Sequence, residues 1–195
     1  MRAILSCMAL AGLVFAACYD TQEELDDFVE RTETLRIVPS AVSCEAPFDV
    51  SGRYVFGVAT SLDKTKPLRF DATFAVDTDA SPWTLTITAT AMAVADGTLV
   101  GDVVTASGPI GMNGAFTIDF GTITVPAEAN PIAPATVKAT LVLEGCTRSE
   151  ELACGIVEGD IITIHASLEG STWGIVPVPD GGDPAALTIV KECGD

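Results

Sequence analysis

Residues 68–76 read Leu-Arg-Phe-Asp-Ala-Thr-Phe-Ala-Val, and they constrain the fold more tightly than any other stretch. Leu68, Phe70, Ala72, Phe74 and Val76 occupy every second position, with Arg69, Asp71, Thr73 and Ala75 between them. A helix would scatter those apolar groups around its axis, whereas a strand puts them all on one side. The same period recurs. Phe48, Val50, Tyr54 and Phe56 share one face of "FDVSGRYVF", and "WTLTITATA" sets Trp83, Leu85 and Ile87 against a ladder of threonines. Asp96-Gly97, Asn113-Gly114 and Glu169-Gly170-Ser171 carry the chemistry of tight turns, because glycine accepts the positive φ that such turns demand. Further strands are expected at Leu99–Thr105, Ala115–Val125, Val137–Leu143, Ile161–Leu168, Thr172–Val178 and Leu187–Lys191.

Short strands between Gly, Pro and Asp turns predict an all-β, antiparallel domain over 44–195. Alternation alone fits either a β-sandwich or an up-and-down β-barrel. The Pro-rich stretches "VPAEANPIAP" and "VPVPDGGDP" read as long crossings and favour the sandwich. With 48% apolar residues, the chain has enough material for a core. Its 27 Asp and Glu against 10 Lys and Arg give a net charge of −17. Such a surface repels nucleic acid, so nucleic acid is not expected among its partners.

The first residues differ in kind. Arg2 and the amino terminus precede an apolar run from Ala3 to Phe15. That run is shorter than the roughly 20 residues of a membrane-spanning helix, and it fits the core of an export signal over 1–17. Cleavage after Ala17 would leave bulky Phe15 three residues upstream, a poor substrate for the ordinary signal peptidase. Phe15-Ala16-Ala17-Cys18 resembles the lipobox of bacterial lipoproteins. The resemblance implies that the Cys18 thiol receives a diacylglycerol, that cleavage makes Cys18 the first residue, and that its amine is acylated. Several acyl chains hold a protein far more firmly than one. In the sorting rule of enteric members, Asp directly after the cysteine retains the protein at the inner membrane. Tyr19 stands there instead, which points to the outer membrane, facing either the periplasm or the surface.

Residues 18–43 are acidic and are expected to form a lipid-anchored tether. Thr21 and Glu24 have capping-box spacing, and Leu25, Phe28 and Val29 share one helical face, so a short helix is expected. With Cys7 in the signal and Cys18 lipidated, Cys44, Cys146, Cys154 and Cys193 remain. An even count in an exported chain implies disulfides, of which three pairings are possible. Cys146 with Cys154, closing "TRSEELA", and Cys44 with Cys193, joining the domain ends, is the favoured set. Metal is not expected, since no C-x₂-C pair is present and the chain has one histidine.

Candidate chemistry is sparse. His165 in "IITIHASLE" falls with Thr163 and Ser167 on the wetter face of an expected strand, and no Gly-x-Ser-x-Gly elbow accompanies it. Ser61-Leu62-Asp63-Lys64 matches S-x-x-K but sits in a polar turn without its companion motifs. Asp77 with Asp79, and Asp180 with Asp183, offer too few oxygens for calcium and read as turn residues. "GPIGMNG" reads as a hairpin rather than a phosphate loop. The exposed aromatic platforms used for glycans are not evident, because Phe70, Phe74, Phe116, Phe120, Trp83 and Trp173 fall on apolar faces. The expectation is a lipid-anchored envelope protein, not an enzyme and with no cofactor. Its β-domain would serve as a binding or structural module toward an envelope protein or a small ligand. The alternatives are a carrier of a small apolar ligand in a barrel cavity and a hydrolase of envelope polymers.

Overall fold

The computed structural model describes residues 44–194. The export signal, Cys18 and the tether helix therefore lie outside the described residues. Ten strands form one antiparallel sheet: β1 (Gly52–Ala59), β2 (Leu68–Asp77), β3 (Thr84–Met92), β4 (Leu99–Pro109), β5 (Ala115–Val125), β6 (Val137–Thr147), β7 (Ala153–Glu158), β8 (Asp160–Ile161), β9 (Ala166–Ser167) and β10 (Ser171–Pro177). The main path is β4-β3-β2-β1-β10-β7-β6, with β5 paired to the free side of β6. Sequence neighbours pair within β1–β4 and within β5–β7, and β10 returns to pair with β1 and β7. The sheet thus curls into a half-barrel around its own inward side chains. Its open seam lies between β4 and β5, which share the bridge Ile110↔Phe116 beside their connecting turn. Away from that turn both strands carry a bulge, with Gly101 at φ 79° in one and Gly121 at φ 63° in the other. Bulges bend a strand and increase its twist, so these two add to the curl of the sheet at the β3–β4 and β5–β6 ladders.

The concave face follows the alternation read from sequence. Tyr54, Phe56, Phe70, Phe74, Leu85, Ile87 and Trp173 are all buried. On the convex side, Thr86 meets Ser107 at 2.8 Å and Thr88 meets Thr105 at 3.1 Å, forming the threonine ladder. Arg53 grips Asp71 there through two bonds of 2.9 Å, and that carboxylate raises the guanidinium pKa above its usual value. The Asp96-Gly97 and Asn113-Gly114 turns have glycine at φ 73° and 83°.

Trp173 is the centre of the core. Its ring lies 5.8 Å from both Phe56 and Phe116, and its Nε1 donates to the Glu144 carbonyl at 3.1 Å. Gly155 stands opposite it on β7, with Gly145 beyond on β6. A Cβ on Gly145 would strike the Trp173 ring, so the missing side chain makes its space.

Four expectations are corrected. Ile161–Leu168 is not one strand: residues 162–165 turn between β8 and β9, and His165 sits in that turn at φ 54°. "VPAEANPIAP" joins neighbouring strands β5 and β6 and is no crossing. β7 was unforeseen, because its short "ACGIVE" has a glycine and lacks alternation; it lies buried between β6 and β10. Leu187–Lys191 is not a strand but part of a strap across the convex face.

The strap also changes the disulfides. Cross-strand register places Arg69, Gly57, Gly174, Cys154 and Cys146 in one row on the convex face. The C-terminal segment lies along that row. Arg69 donates to the carbonyls of Pro184 and Leu187, and Val190 O lies 3.0 Å from where a Cβ on Gly57 or Gly174 would stand. Cys193 then reaches Cys154, while Cys44 reaches Cys146. All four cysteines are paired, but Cys146–Cys154 and Cys44–Cys193 is not the set. Cys146 and Cys154 are neighbours in register, yet each is claimed by a different chain end.

Near the opposite edge of the core, Tyr54 is 3% exposed and donates to the Glu150 carbonyl at 3.1 Å. Burial, with added repulsion from Glu151 and Asp49, raises its phenol pKa. Folding therefore favours the neutral phenol. Its contribution is complete below the unfolded value of about 10 and is lost as pH rises through the higher folded value. Tyr54→Phe is expected to flatten alkaline unfolding in that window, followed by circular dichroism. An unchanged alkaline slope would contradict this.

Candidate functional site

At one end of the half-barrel, an apolar pocket of about 170 Å³ opens between three connections. Its floor is made by inward side chains near the strand ends, among them Val58, Phe70, Ile123, Ala139 and Leu141. Its walls are the β1–β2 loop with Leu62, the β5–β6 loop with Ile132 and Ala133, and the 162–165 turn with Ile164. Leu62 and Ile164 are 47% and 56% exposed, so the rim is apolar as well as the interior.

Each wall is held by local polar chemistry. Asn130 organises the β5–β6 loop: its Oδ1 accepts from the N–H of Ile132 at 3.1 Å and Ala133 at 3.3 Å, and its Nδ2 donates to Ala135 O at 3.0 Å. The 162–165 turn is clamped to β6, where Ile162 N donates to Lys138 O at 2.8 Å and Lys138 N donates to Thr163 Oγ1 at 2.8 Å. The β1–β2 loop is tied by Ser61 N to Ser171 Oγ at 2.9 Å and by Asp63, which accepts from Thr65 N–H and hydroxyl. Those bonds to Thr65 hold the Asp63 carboxyl below its ordinary pKa. The pocket is preformed, as ligand sites usually are.

One lining residue has a polar atom with neither a partner nor surface open to the pocket. Thr60 continues the inward parity of Tyr54, Phe56 and Val58, is 4% exposed, and lines the pocket. Its Oγ1 is one of two buried side-chain polar atoms without a hydrogen bond among the described residues; the other is Arg69 Nε under the strap. No Asp, Glu, Lys, Arg or His lines the pocket.

The residues singled out from sequence lie elsewhere or serve the fold. Cys18 falls outside the described residues. His165 is exposed on the 162–165 turn. Ser61 belongs to the hydrogen-bonded loop just described, and its companion Lys64 is exposed. Asp77 caps its own turn, accepting from Asp79 N at 3.0 Å and Ala80 N at 3.2 Å. Asp183 accepts from Ala185 N at 2.8 Å at the start of the strap. Among the described residues, no three His, Cys, Asp or Glu gather as a metal cluster. Sequence reasoning missed the pocket. The legible signal was a polar residue, Thr60, at inward parity where β1 ends.

Comparisons of the chain with protein-family models, curated proteins and solved structures find no match.

Proposed function

We propose that the chain is an exported lipoprotein of the bacterial envelope, held by lipid on Cys18 and carrying a β-domain that binds rather than catalyses. The observation that carries the second part is the preformed apolar pocket without a titratable lining residue. General acid–base and nucleophilic catalysis both need such a group within reach of the substrate. For a hydrolase, His165 or a pair of carboxylates would have to gather in a cleft; His165 lies on an exposed turn, and no Asp or Glu lines the pocket. The first part rests on Phe15-Ala16-Ala17-Cys18, with Tyr19 favouring the outer membrane. The acidic surface is consistent with a partner that is neither nucleic acid nor an anionic bilayer face.

Cys18→Ser is expected to abolish incorporation of labelled fatty acid and to release the protein from the membrane fraction. Retention of label and of membrane fractionation would defeat the anchoring claim. Protease accessibility on intact cells distinguishes a surface-facing domain from a periplasmic one.

A further inference from the structure

We infer that the pocket end of the β-domain is a contact surface for a second copy of this chain, the two packing pocket end to pocket end about a two-fold axis. This names the partner of the binding module proposed above and rests on that reading.

Exposed apolar surface is concentrated there. Seven large apolar side chains are exposed among the described residues. Five of them, Leu62, Val94, Leu99, Ile162 and Ile164, sit on the connections at the pocket end or directly beside one. Hydrogen bonds tie those connections together. Val94 N donates to Glu128 O at 2.9 Å, joining the β3–β4 turn to the β5–β6 loop. Ser61 Oγ donates to Ser167 O at 3.5 Å, joining the β1–β2 loop to β9. The end is therefore one fixed surface, and large exposed apolar patches rimmed by polar residues mark interaction sites. Little ordering remains to be done when a partner arrives.

Shape, area and charge favour a second copy. A two-fold interface sets one patch against itself, so the patch must carry both a projection and its recess. Leu62 and Ile164 project, 47% and 56% exposed, beside an apolar recess of about 170 Å³. That is room for an aliphatic side chain of the facing copy, since an apolar cavity of about 150 Å³ takes up benzene. A stable interface buries about 800 Å² per partner, about 65% of it apolar in homodimers, which calls for roughly 500 Å² of apolar surface. The five exposed aliphatic side chains and the adjoining recess supply surface of that order. Charges of both signs border the patch: Lys64, Lys66 and Lys138 beside Asp96, Glu128 and Asp160, all exposed. A two-fold rotation can set one sign against the other, whereas a rim of one sign would repel its own copy. An anionic bilayer finds no such match in a chain of net charge −17. Cys44 is bonded to Cys146 at the other end of β6, so the preceding chain enters opposite the pocket and leaves the patch open. Fully extended, the chain from Cys18 to Cys44 reaches about 90 Å, so copies anchored in one membrane can turn to meet. A shared membrane also raises their effective concentration.

The test is thiol crosslinking of the full-length chain on intact cells, using a short bismaleimide, one added cysteine per variant, and mass spectrometry to identify the product. Ile162→Cys marks the pocket end and Met112→Cys the opposite end, where Met112 is 93% exposed. Ile162→Cys is expected to give a covalent homodimer in at least about tenfold higher yield than Met112→Cys, although Met112 is the more accessible. Adding Leu62→Asp and Ile164→Asp to the Ile162→Cys chain sets charge against an apolar face, and is expected to lower that yield at least about tenfold. Circular dichroism of the purified aspartate variant checks folding. Should it fail to fold, the contrast between Ile162→Cys and Met112→Cys decides alone. The inference is overturned if no homodimer forms, if the two thiols crosslink equally, or if the folded aspartate variant crosslinks as before. Capture of a different protein in place of a homodimer overturns it, and so does burial of the Ile162→Cys thiol in the bilayer. Fatty-acid labelling at Cys18 is read on the same cells. Labelled chain without homodimer removes this inference alone, and homodimer without label removes only the anchor.

Discussion

Trp173→Ala is expected to destabilise the β-domain by about 3–5 kcal/mol, a large part of the stability of a domain this size. Three losses add together. The side chain is fully buried, so its apolar surface is removed from the interior and leaves a cavity. Its edge-on contact with Phe56 and its tilted contact with Phe116 disappear. The Glu144 carbonyl, which accepts from Nε1 at 3.1 Å, loses its indole donor. The two glycines beside the ring prevent recovery, because Gly145 and Gly155 have no side chains to lean into the void. The measurement is denaturant unfolding, with the midpoint falling while the slope stays near the wild-type value. A loss under about 1 kcal/mol would show that the ring is not the keystone described above.

Removing the Cys154–Cys193 bond by Cys154→Ser with Cys193→Ser is expected to cost about 4 kcal/mol in the chain-entropy model, given a sequence separation of 39. The Cys44–Cys146 bond, with a separation of 102, is worth about 5 kcal/mol on the same basis. The two removals should differ in where they loosen the fold. Loss of Cys154–Cys193 frees the strap, so Arg69 loses its carbonyl partners and the Gly57–Gly174 row becomes exposed. Hydrogen exchange should then rise in β1 and β10 before it rises in β3. Gly174→Val attacks the same contact with the disulfide intact, since its side chain would collide with Val190. Unchanged stability and unchanged exchange in both variants would mean the strap contributes nothing.

Why was the strap missed? Leu187, Ile189 and Lys191 alternate like a strand, but alternation reports only that one side of a segment is buried. It does not say whether hydrogen bonds run to a neighbouring strand. Here the burial is against two glycines, and the ends are fixed by Arg69 and by a disulfide. The same limit explains residues 161–168. Ile162 and Ile164 looked like inward strand residues, yet they are 43% and 56% exposed on a turn, with Ile164 at the pocket mouth. The Asp-Gly and Asn-Gly turns were legible because their backbone demand is local. So were the inward faces of β2 and β3, where apolar and polar residues alternate through a whole strand.

The sequence by itself determined the all-β, antiparallel class, the aromatic core and the presence of four cysteines suited to pairing. Each follows from chemistry acting over two to ten residues: alternation, turn geometry and thiol count. Tertiary structure decided which cysteines meet, since Cys44 and Cys193 are brought to neighbouring strands by contacts far apart in the chain. It also decided the curl of one sheet into a half-barrel with a bulged seam. The pocket belongs to the same category. Its walls come from three connections separated by dozens of residues, and only their convergence leaves Thr60 buried beside empty apolar space.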